Sequence, residues 1–405
     1  MKIAFVDNLQ VGGGLSRFSL LLCKSLIEKD ETIQIDYFIH SQNLKLVPEL
    51  LSIRNVKVIV LKSTLPLSFL GKVAFKVSSI LGIKYNENPV IAEVEKMVNQ
   101  KYDLAYFPSA HMMERPSLNI PIVGTIHDFN WKYFFGRQIF SKSFVKKMDT
   151  EIVKWMNGGY NVCSAQDVVD EAQKLYPGMA RYPEVVHIAP VIFNSEISES
   201  RSKEILNELN INYPYIIFPG NFFPHKNHLN LFTAFYLLKQ KEAFKHFKLL
   251  LTGMNSDQVA LAKAEYRGVR LLSEINSTED FDIMGMGYQT NEYNDVLIAN
   301  ATLLVSPSIY EAICTPGMDA WNFGVPTAIS DIPPFREHEK AWGIQSAFFD
   351  PMNPKDIAEK IEDALVNYEI TQANGKISRQ RMLNYNWEKV TDGYLAIFKK
   401  AIEKK

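Results

Sequence analysis

Cysteine is scarce in this chain: Cys23, Cys163 and Cys314 are the only three in 405 residues, far apart and without a C-x-x-C pair. A sparse, odd set builds no disulfide framework and suits a reducing compartment. An excess of charge of either sign is also missing. Against 44 lysines and arginines stand 45 acids, a net charge of −1, so nothing global attracts nucleic acid and any basic patch must be local. Long apolar runs are absent too. The most apolar stretch, Leu65 to Ile83, carries Lys72 and Lys76, whereas a membrane-spanning helix needs about 18 or more uncharged apolar residues in a row. The opening MKIAFVD breaks at Asp7, too early for the core of a signal peptide, and reads as a buried first strand. These absences lead to the expectation of a cytoplasmic protein, attached at most to the inner face of a membrane.

What is present is an ordinary folding composition, 47% hydrophobic and 22% charged, in a chain long enough for two domains. Short apolar runs alternate with longer amphipathic segments, the grammar of strand–helix units and parallel sheets. The strands expected in the first half are Ile3–Val6, Ile33–Ile39, Val56–Leu61, Leu104–Phe107 and Ile122–Ile126. After the first comes a helix with Leu15, Phe18, Leu22 and Leu26 at spacings of three and four. The pattern restarts with strand Tyr215–Phe218, helix Leu229–Leu238, strand Phe247–Leu251 and strand Thr302–Val305. Between the halves, Phe193–Ser202 (FNSEISESRS) is polar and aperiodic and reads as a linker. The expected architecture is α/β: two doubly wound, Rossmann-like domains, residues 1–192 and 203–386, facing a central cleft. A C-terminal helix, 387–405, with Val390, Tyr394, Ile397 and Phe398 on one face, is able to pack back on the first domain.

Three segments carry the chemistry. Gly12, Gly13 and Gly14 open the first helix, where backbone N–H groups and the helix N-terminus can meet a phosphate. Arg17 stands where a nicotinamide fingerprint needs its third glycine, and no G-K-[ST] follows, so the loop reads either as a phosphate cradle or as a plain tight turn. In F-P-G-N-F-F-P-H-K-N-H, Phe218 to His228, Lys226 emerges at a strand's C-terminal end beside a helix start. It can serve as counter-ion to a diphosphate or lie solvated on the helix's first turn. In S-P-S-I-Y-E-A-I-C-T-P-G-M-D, Ser306 to Asp319, Pro316 starts a helix, with Glu311 on the loop before it and Asp319 along it. Two acids for sugar and ribose hydroxyls, with the amides of Ile313, Cys314 and Thr315 for phosphate, make a coherent nucleotide-sugar site. The plainer reading makes Glu311 a helix-start acid and Asp319 a surface charge.

The order G-x-x-x-P-x-K-N, then G-Y, then P-S…E with an acid eight positions on, then G-V-P, resembles the retaining glycosyltransferases of family four, whose fold is called GT-B. The D-P-M-N-P run from Asp350 to Pro354 and T-I-H-D from Thr125 to Asp128 look like two further motifs of that family. The match is dense from about Phe218 to Pro354 and sparse upstream. The resemblance implies that Lys226 stabilises the departing diphosphate, that Glu311 holds donor-sugar hydroxyls and that Asp319 holds the ribose. It further implies phosphate contacts from the amides around Ile313, Cys314 and Thr315, a diphosphate contact from Gly12 to Gly14 on the opposite domain, His127 beside the transferred sugar, and Tyr288 against the base. The chain departs from the family at three points. Asn221 replaces the usual arginine five residues before the lysine, Asp319 replaces a glutamate, and A-I-C-T-P replaces G-F-G-L-P after the first acid.

The implied reaction moves a hexose or deoxyhexose from a nucleoside-diphosphate sugar, GDP-mannose or dTDP-rhamnose by the P-H-K-N-H loop, to a hydroxyl of a glycan or lipid-linked acceptor. Assembly of a bacterial surface polysaccharide such as lipopolysaccharide is the implied setting. No metal and no cofactor beyond the donor are expected. Phe134 to Lys147 mixes aromatics with four basic residues and reads either as a membrane-facing surface or as an ordinary amphipathic helix. His225 and His228 read as packing or substrate contacts rather than metal ligands. A sugar-nucleotide epimerase of the same fold and a non-catalytic nucleotide-sugar-binding module are the alternatives.

Overall fold

The computed structural model describes residues 1–7, 14–45, 47–62, 89–99, 101–133, 141–190, 197–257 and 282–404. The chain divides into two compact units, Met1–Ile188 with Trp387–Lys405, and Ala189–Asn386.

The first unit is built on a seven-stranded sheet in the order β3-β2-β1-β4-β5-β6-β7. Its strands are β1 (Lys2–Asp7), β2 (Gln34–His40), β3 (Val56–Leu61), β4 (Leu104–Phe107), β5 (Ile122–Thr125), β6 (Tyr160–Cys163) and β7 (Glu184–Val185). Neighbours pair in parallel, which requires helices over both faces and hence strands apolar on both sides. β1 meets that demand from Ile3 to Val6, all fully buried. Asp7, at its end, is buried but satisfied: the Tyr37 hydroxyl donates to its Oδ2 at 2.7 Å. Helix α1 (Gly14–Lys29) buries Phe18, Leu22 and Leu26, three of the four residues of the expected apolar stripe.

Helix α12 (Trp387–Glu403) belongs to this unit. Val390, Tyr394, Ile397 and Phe398 are all buried at spacings that place them on one face. The Tyr394 hydroxyl reaches Thr125 Oγ1 at 3.1 Å, Thr391 donates to Ser25 Oγ at 2.6 Å, and Lys29 pairs with Glu388 and Asp392 at 2.9 and 3.0 Å. Gly393 permits the approach, since a Cβ there would stand 2.8 Å from Val186 Cγ1.

The second unit holds a six-stranded parallel sheet, β10-β9-β8-β11-β12-β13. The strands are β8 (Tyr215–Pro219), β9 (Lys248–Thr252), β10 (Ile283–Gly285), β11 (Leu303–Ser306), β12 (Thr327–Ser330) and β13 (Ala347–Phe349). Alternate residues of β8 feed two cores. Ile216 and Phe218 meet Leu231, Phe232 and Phe235 of helix α6 (His228–Lys239) on one face. Tyr215 and Ile217 meet Leu297, Ile298 and Ala320 on the other. The strand order reverses between β8 and β11, which opens a crevice at their C-terminal ends, the place where doubly wound sheets bind ligands.

The polar run expected to be a linker is partly helical. Ser198 Oγ accepts the Arg201 N–H at 3.2 Å and caps helix α5 (Glu199–Glu208). Only Ser202 and Ile205 of that helix are buried, so it shows little apolar periodicity. Residues 193–196 lie outside the described residues, as do Gly12 and Gly13. Gly14 is the exposed first residue of α1. No described helix is long and apolar enough to cross a membrane.

Candidate active site

The crevice of the second unit is framed by the loops after β8 and β11, and the two are stitched together. Pro224 to Lys226 form one 3₁₀ turn, and Asn227 follows at φ 59°, a left-handed conformation that asparagine tolerates better than other side-chain-bearing residues. Its amide donates to Pro307 O at 2.9 Å and to Pro351 O at 2.7 Å, and Asn230 adds a bond to Pro351 O at 2.9 Å. The D-P-M-N-P run thus anchors the lysine loop through one carbonyl, while Asn353 caps the next helix by accepting from Lys355 and Asp356. Ile309 N–H donates to His225 O at 2.8 Å, which locks the β11 loop to the β8 loop.

This scaffold brings Lys226 and Glu311 into contact. Lys226 Nζ lies 2.5 Å from Glu311 Oε1, with the two side chains 17% and 16% exposed. Beside them starts helix α8 (Thr315–Phe323), with Pro316 in its first turn. Thr315 stands partly exposed at this N-terminus and Ile313 is partly buried just before it. The Cys314 N–H is already used, donating to His338 Nε2 at 3.2 Å. The phosphate role that resemblance gives this amide therefore competes with a bond inside the fold. The Cys314 thiol is buried and pushed up to about 12 by desolvation, which leaves it a packing group. Asp319 is 2% exposed within α8, so the surface-charge reading of this residue is wrong.

The third wall is the β9–β10 end of the sheet. Asn221 Oδ1 accepts the Met254 N–H at 2.9 Å, and Phe222 N–H donates to Met254 O at 3.1 Å. Gly253 makes this approach feasible: its φ is +117° and a Cβ would lie 2.6 Å from Gly220 O. Gly253 N–H in turn donates to Gly287 O at 2.9 Å, and Gly287 N–H to Ser256 Oγ at 2.9 Å. Tyr288 follows directly and is 47% exposed. The residue that stands in the family's arginine position is thus a loop fastener, polar but uncharged.

His127 belongs to the first unit, immediately after β5. It is buried, its Nε2–H donates to Pro108 O at 2.8 Å, and its main-chain N–H points to His111 Nδ1 at 3.4 Å. Burial, then the neighbouring His111, push its pKa down to about 3, so it is a neutral imidazole near pH 7. His111 and His338 went unrecognised in the sequence because neither stands in a motif. A histidine's role as the partner of a remote amide has no local signature.

His228 is buried against Phe218 and Phe222, with ring centroids 5.0 and 4.1 Å away, and His225 stacks on Phe223 at 5.9 Å. Among the described residues no group of three or more histidines, cysteines and carboxylates gathers as a metal would require. The chain does contain one Asp-x-Asp triplet, Asp280 to Asp282, a pattern able to chelate a metal-bound donor. Asp282 ion-pairs with Lys239 at 3.3 Å, and the first two residues lie outside the described ones.

Residues 201–381 match the family model described as glycosyl transferases group 1. No curated protein matches the sequence. Among solved structures, Anabaena HepE, crystallised with UDP and glucose, aligns at a TM-score of 0.70 and 14% identity over 99% of this chain and 100% of its own. Sucrose-phosphate synthase from Thermosynechococcus elongatus aligns at 0.71 and 16% identity over all of both chains. WaaG, a glycosyltransferase involved in lipopolysaccharide biosynthesis, aligns at 0.66 and 13%, over 98% of this chain and 99% of its own. The fold is GT-B. In this GT-B chain the family match falls on the unit that carries Lys226, Glu311 and Asp319. Match and fold together support a glycosyltransferase enzyme of the GT-B superfamily.

Proposed function

We propose that this chain is a retaining glycosyltransferase of family four. It transfers a hexose or deoxyhexose from a nucleoside-diphosphate sugar to a hydroxyl of a glycan or lipid-linked acceptor, in the assembly of a surface polysaccharide. The carrying observation is the Lys226–Glu311 pair beside the N-terminus of α8, at the switch point of the second sheet. As the bond from the sugar's anomeric carbon to phosphate breaks, negative charge grows on the diphosphate and the sugar becomes oxocarbenium-like. Lys226 and the start of α8 meet that growing charge. Glu311, released from the lysine when diphosphate takes its place, accepts hydrogen bonds from sugar hydroxyls. The acceptor hydroxyl attacks from the face that the leaving phosphate occupies and passes its proton to a phosphate oxygen. Asp319 holds the ribose, Tyr288 the base, and neutral His127 a donor-sugar hydroxyl. Because the fixed cation does the electrostatic work, the transfer proceeds without a metal, and turnover in excess EDTA should equal that in magnesium.

The donor is tested with UDP, GDP and dTDP in a thermal-shift series. A nucleotide at about 100 times its dissociation constant stabilises by roughly 2.7 kcal/mol. GDP or dTDP is expected to do so. A preference for UDP overturns the mannose or rhamnose assignment, and silence from all three overturns the enzyme.

The two acids should separate in the same assay. Glu311→Gln frees Lys226 from its partner, so the free nucleoside diphosphate should bind as tightly as before or tighter, while turnover falls. Asp319→Asn should weaken the diphosphate by about 1.5–3 kcal/mol, the size of a lost charged hydrogen bond. Calorimetric titration of both variants decides, and equal losses of affinity would refute the division of roles.

A further inference from the structure

The first unit has a pocket at the edge of its sheet opposite the strand C-termini. It occupies about 620 Å³ where β5 and β6 begin, at Ile122 and Tyr160, and where helix α3 (Lys142–Gly158) ends. That volume is typical of small-molecule sites. Its lining includes Arg115, Arg181 and Lys404 and, among the described residues, no carboxylate side chain.

Among the described residues no ion pair engages any of these three cations. Arg115 donates from its guanidinium to the carbonyls of Gly158 and Pro116, and its Nε is buried without a partner among the described residues. Desolvation holds its pKa below the usual arginine range, the mark of a cation lacking a counter-charge. Glu151, which meets the Arg115 backbone, is occupied by that main-chain N–H at 2.9 Å and by Lys154 at 2.5 Å. Arg181 lies over the Tyr160 ring at 3.8 Å, with the Tyr160 hydroxyl beneath it buried and unpartnered among the described residues. Lys404 is exposed immediately after α12, and no ion pair engages it among the described residues.

The backbone is shaped for this arrangement. A Cβ at Gly158 would stand 2.5 Å from Arg115 Cζ, and one at Gly159 would stand 2.8 Å from Ile122 O. Two successive glycines thus leave the space in which the guanidinium lies across the end of α3. Asn119 and Asn157 add amides to the rim, and Ile122, Met156 and Ala401 an apolar wall. Cations, amides and apolar surface lining one pocket suit a phosphate monoester whose remainder carries hydroxyls.

We propose that this pocket binds a small phosphorylated sugar, the phosphate held by Arg115, Arg181 and Lys404 and the hydroxyls by Asn119 and Asn157. Because Ala401 belongs to α12 and Lys404 directly follows it, the ligand also fastens the end of that helix to the sheet.

The full chain is titrated calorimetrically with glucose 6-phosphate, inorganic phosphate and glucose, in parallel with the nucleoside diphosphate that binds the second unit. Glucose 6-phosphate should bind saturably, phosphate more weakly, and glucose not at all. The double variant Arg181→Met, Lys404→Met should weaken glucose 6-phosphate at least tenfold and leave nucleotide affinity unchanged. Lys404→Met alone, an exposed change with no folding cost, should weaken it severalfold. Gly158→Ala, which displaces Arg115, should do the same. Equal affinity in wild type and both lysine variants would overturn the site, as would a thermal stabilisation reproduced by chloride at matched ionic strength. Sedimentation with phosphatidylglycerol vesicles that is lost in the double variant, with no binding of the soluble phosphates, would overturn the soluble ligand in favour of a lipid headgroup.

Discussion

Lys226→Ala should lower turnover by about 10²–10³-fold, the loss expected when one preorganised charge stabiliser is removed from a developing anion. The same change leaves Glu311 without its partner at the mouth of the crevice. A carboxylate now faces the diphosphate where an ammonium stood, so affinity for the free nucleoside diphosphate should fall as well. Stability should change little, by about 1 kcal/mol or less, because the pair remains in contact with solvent. Single-turnover kinetics with donor in excess, together with a denaturation midpoint, separate the three effects. Wild-type turnover in this variant would make Lys226 a solvated helix-start lysine, and Glu311 merely its companion.

Acid should destabilise both units. His111 and His127 in the first unit and His228 in the second are buried, and desolvation pushes them down to about 4, 3 and 3. In the unfolded chain each returns to about 6.5. Between those values the unfolded state binds more protons, so stability is retained above pH 6.5 and lost as pH falls towards the folded pKa. At pH 5 each of these three histidines costs about 2 kcal/mol. Urea transitions at pH 7.5 and 5.0, followed by amide hydrogen exchange, should show both units losing stability in acid. His228→Phe, which keeps an aromatic ring beside Phe218, Phe222 and Phe232, should reduce the acid sensitivity of the second unit and leave that of the first unchanged. Equal stability at the two pH values would mean that water reaches these imidazoles.

The parts of the fold legible in the sequence are those where burial on both faces leaves an unbroken apolar run. Ile3–Val6, Leu104–Phe107 and Val56–Leu61 lie within or coincide with strands, and the remaining expected strands fall within one residue of theirs. The strands β7, β10 and β13 escaped because two or three residues make no recognisable run, and β6 and β12 because Asn161, Thr327 and Ser330 break the apolar pattern of theirs. The Asn161 amide is buried against the carbonyl of Trp155 at 2.9 Å, a satisfaction invisible in sequence. At the site, Lys226 and Glu311 were legible as a motif but their contact was not, for it depends on Asn227 and Pro351 being 124 residues apart and 2.7 Å in space. Asn221 was legible as a missing charge. Its bond to Met254 was not, because that requires the left-handed turn at Gly253.

The placement of α12 reverses the usual order in which a growing chain acquires its domains. Residues 189–386 form an insertion within the other unit, whose sheet receives Tyr394 and Phe398 only after that insertion has been made. Domains generally fold as units while the chain emerges from the ribosome, the N-terminal one first. Here the N-terminal sheet must wait with the surface for Val390, Tyr394, Ile397 and Phe398 still uncovered, while the second unit can close ahead of it. A chain truncated after Asn386 should therefore present a protease-resistant second unit behind a first unit that is still open to cleavage.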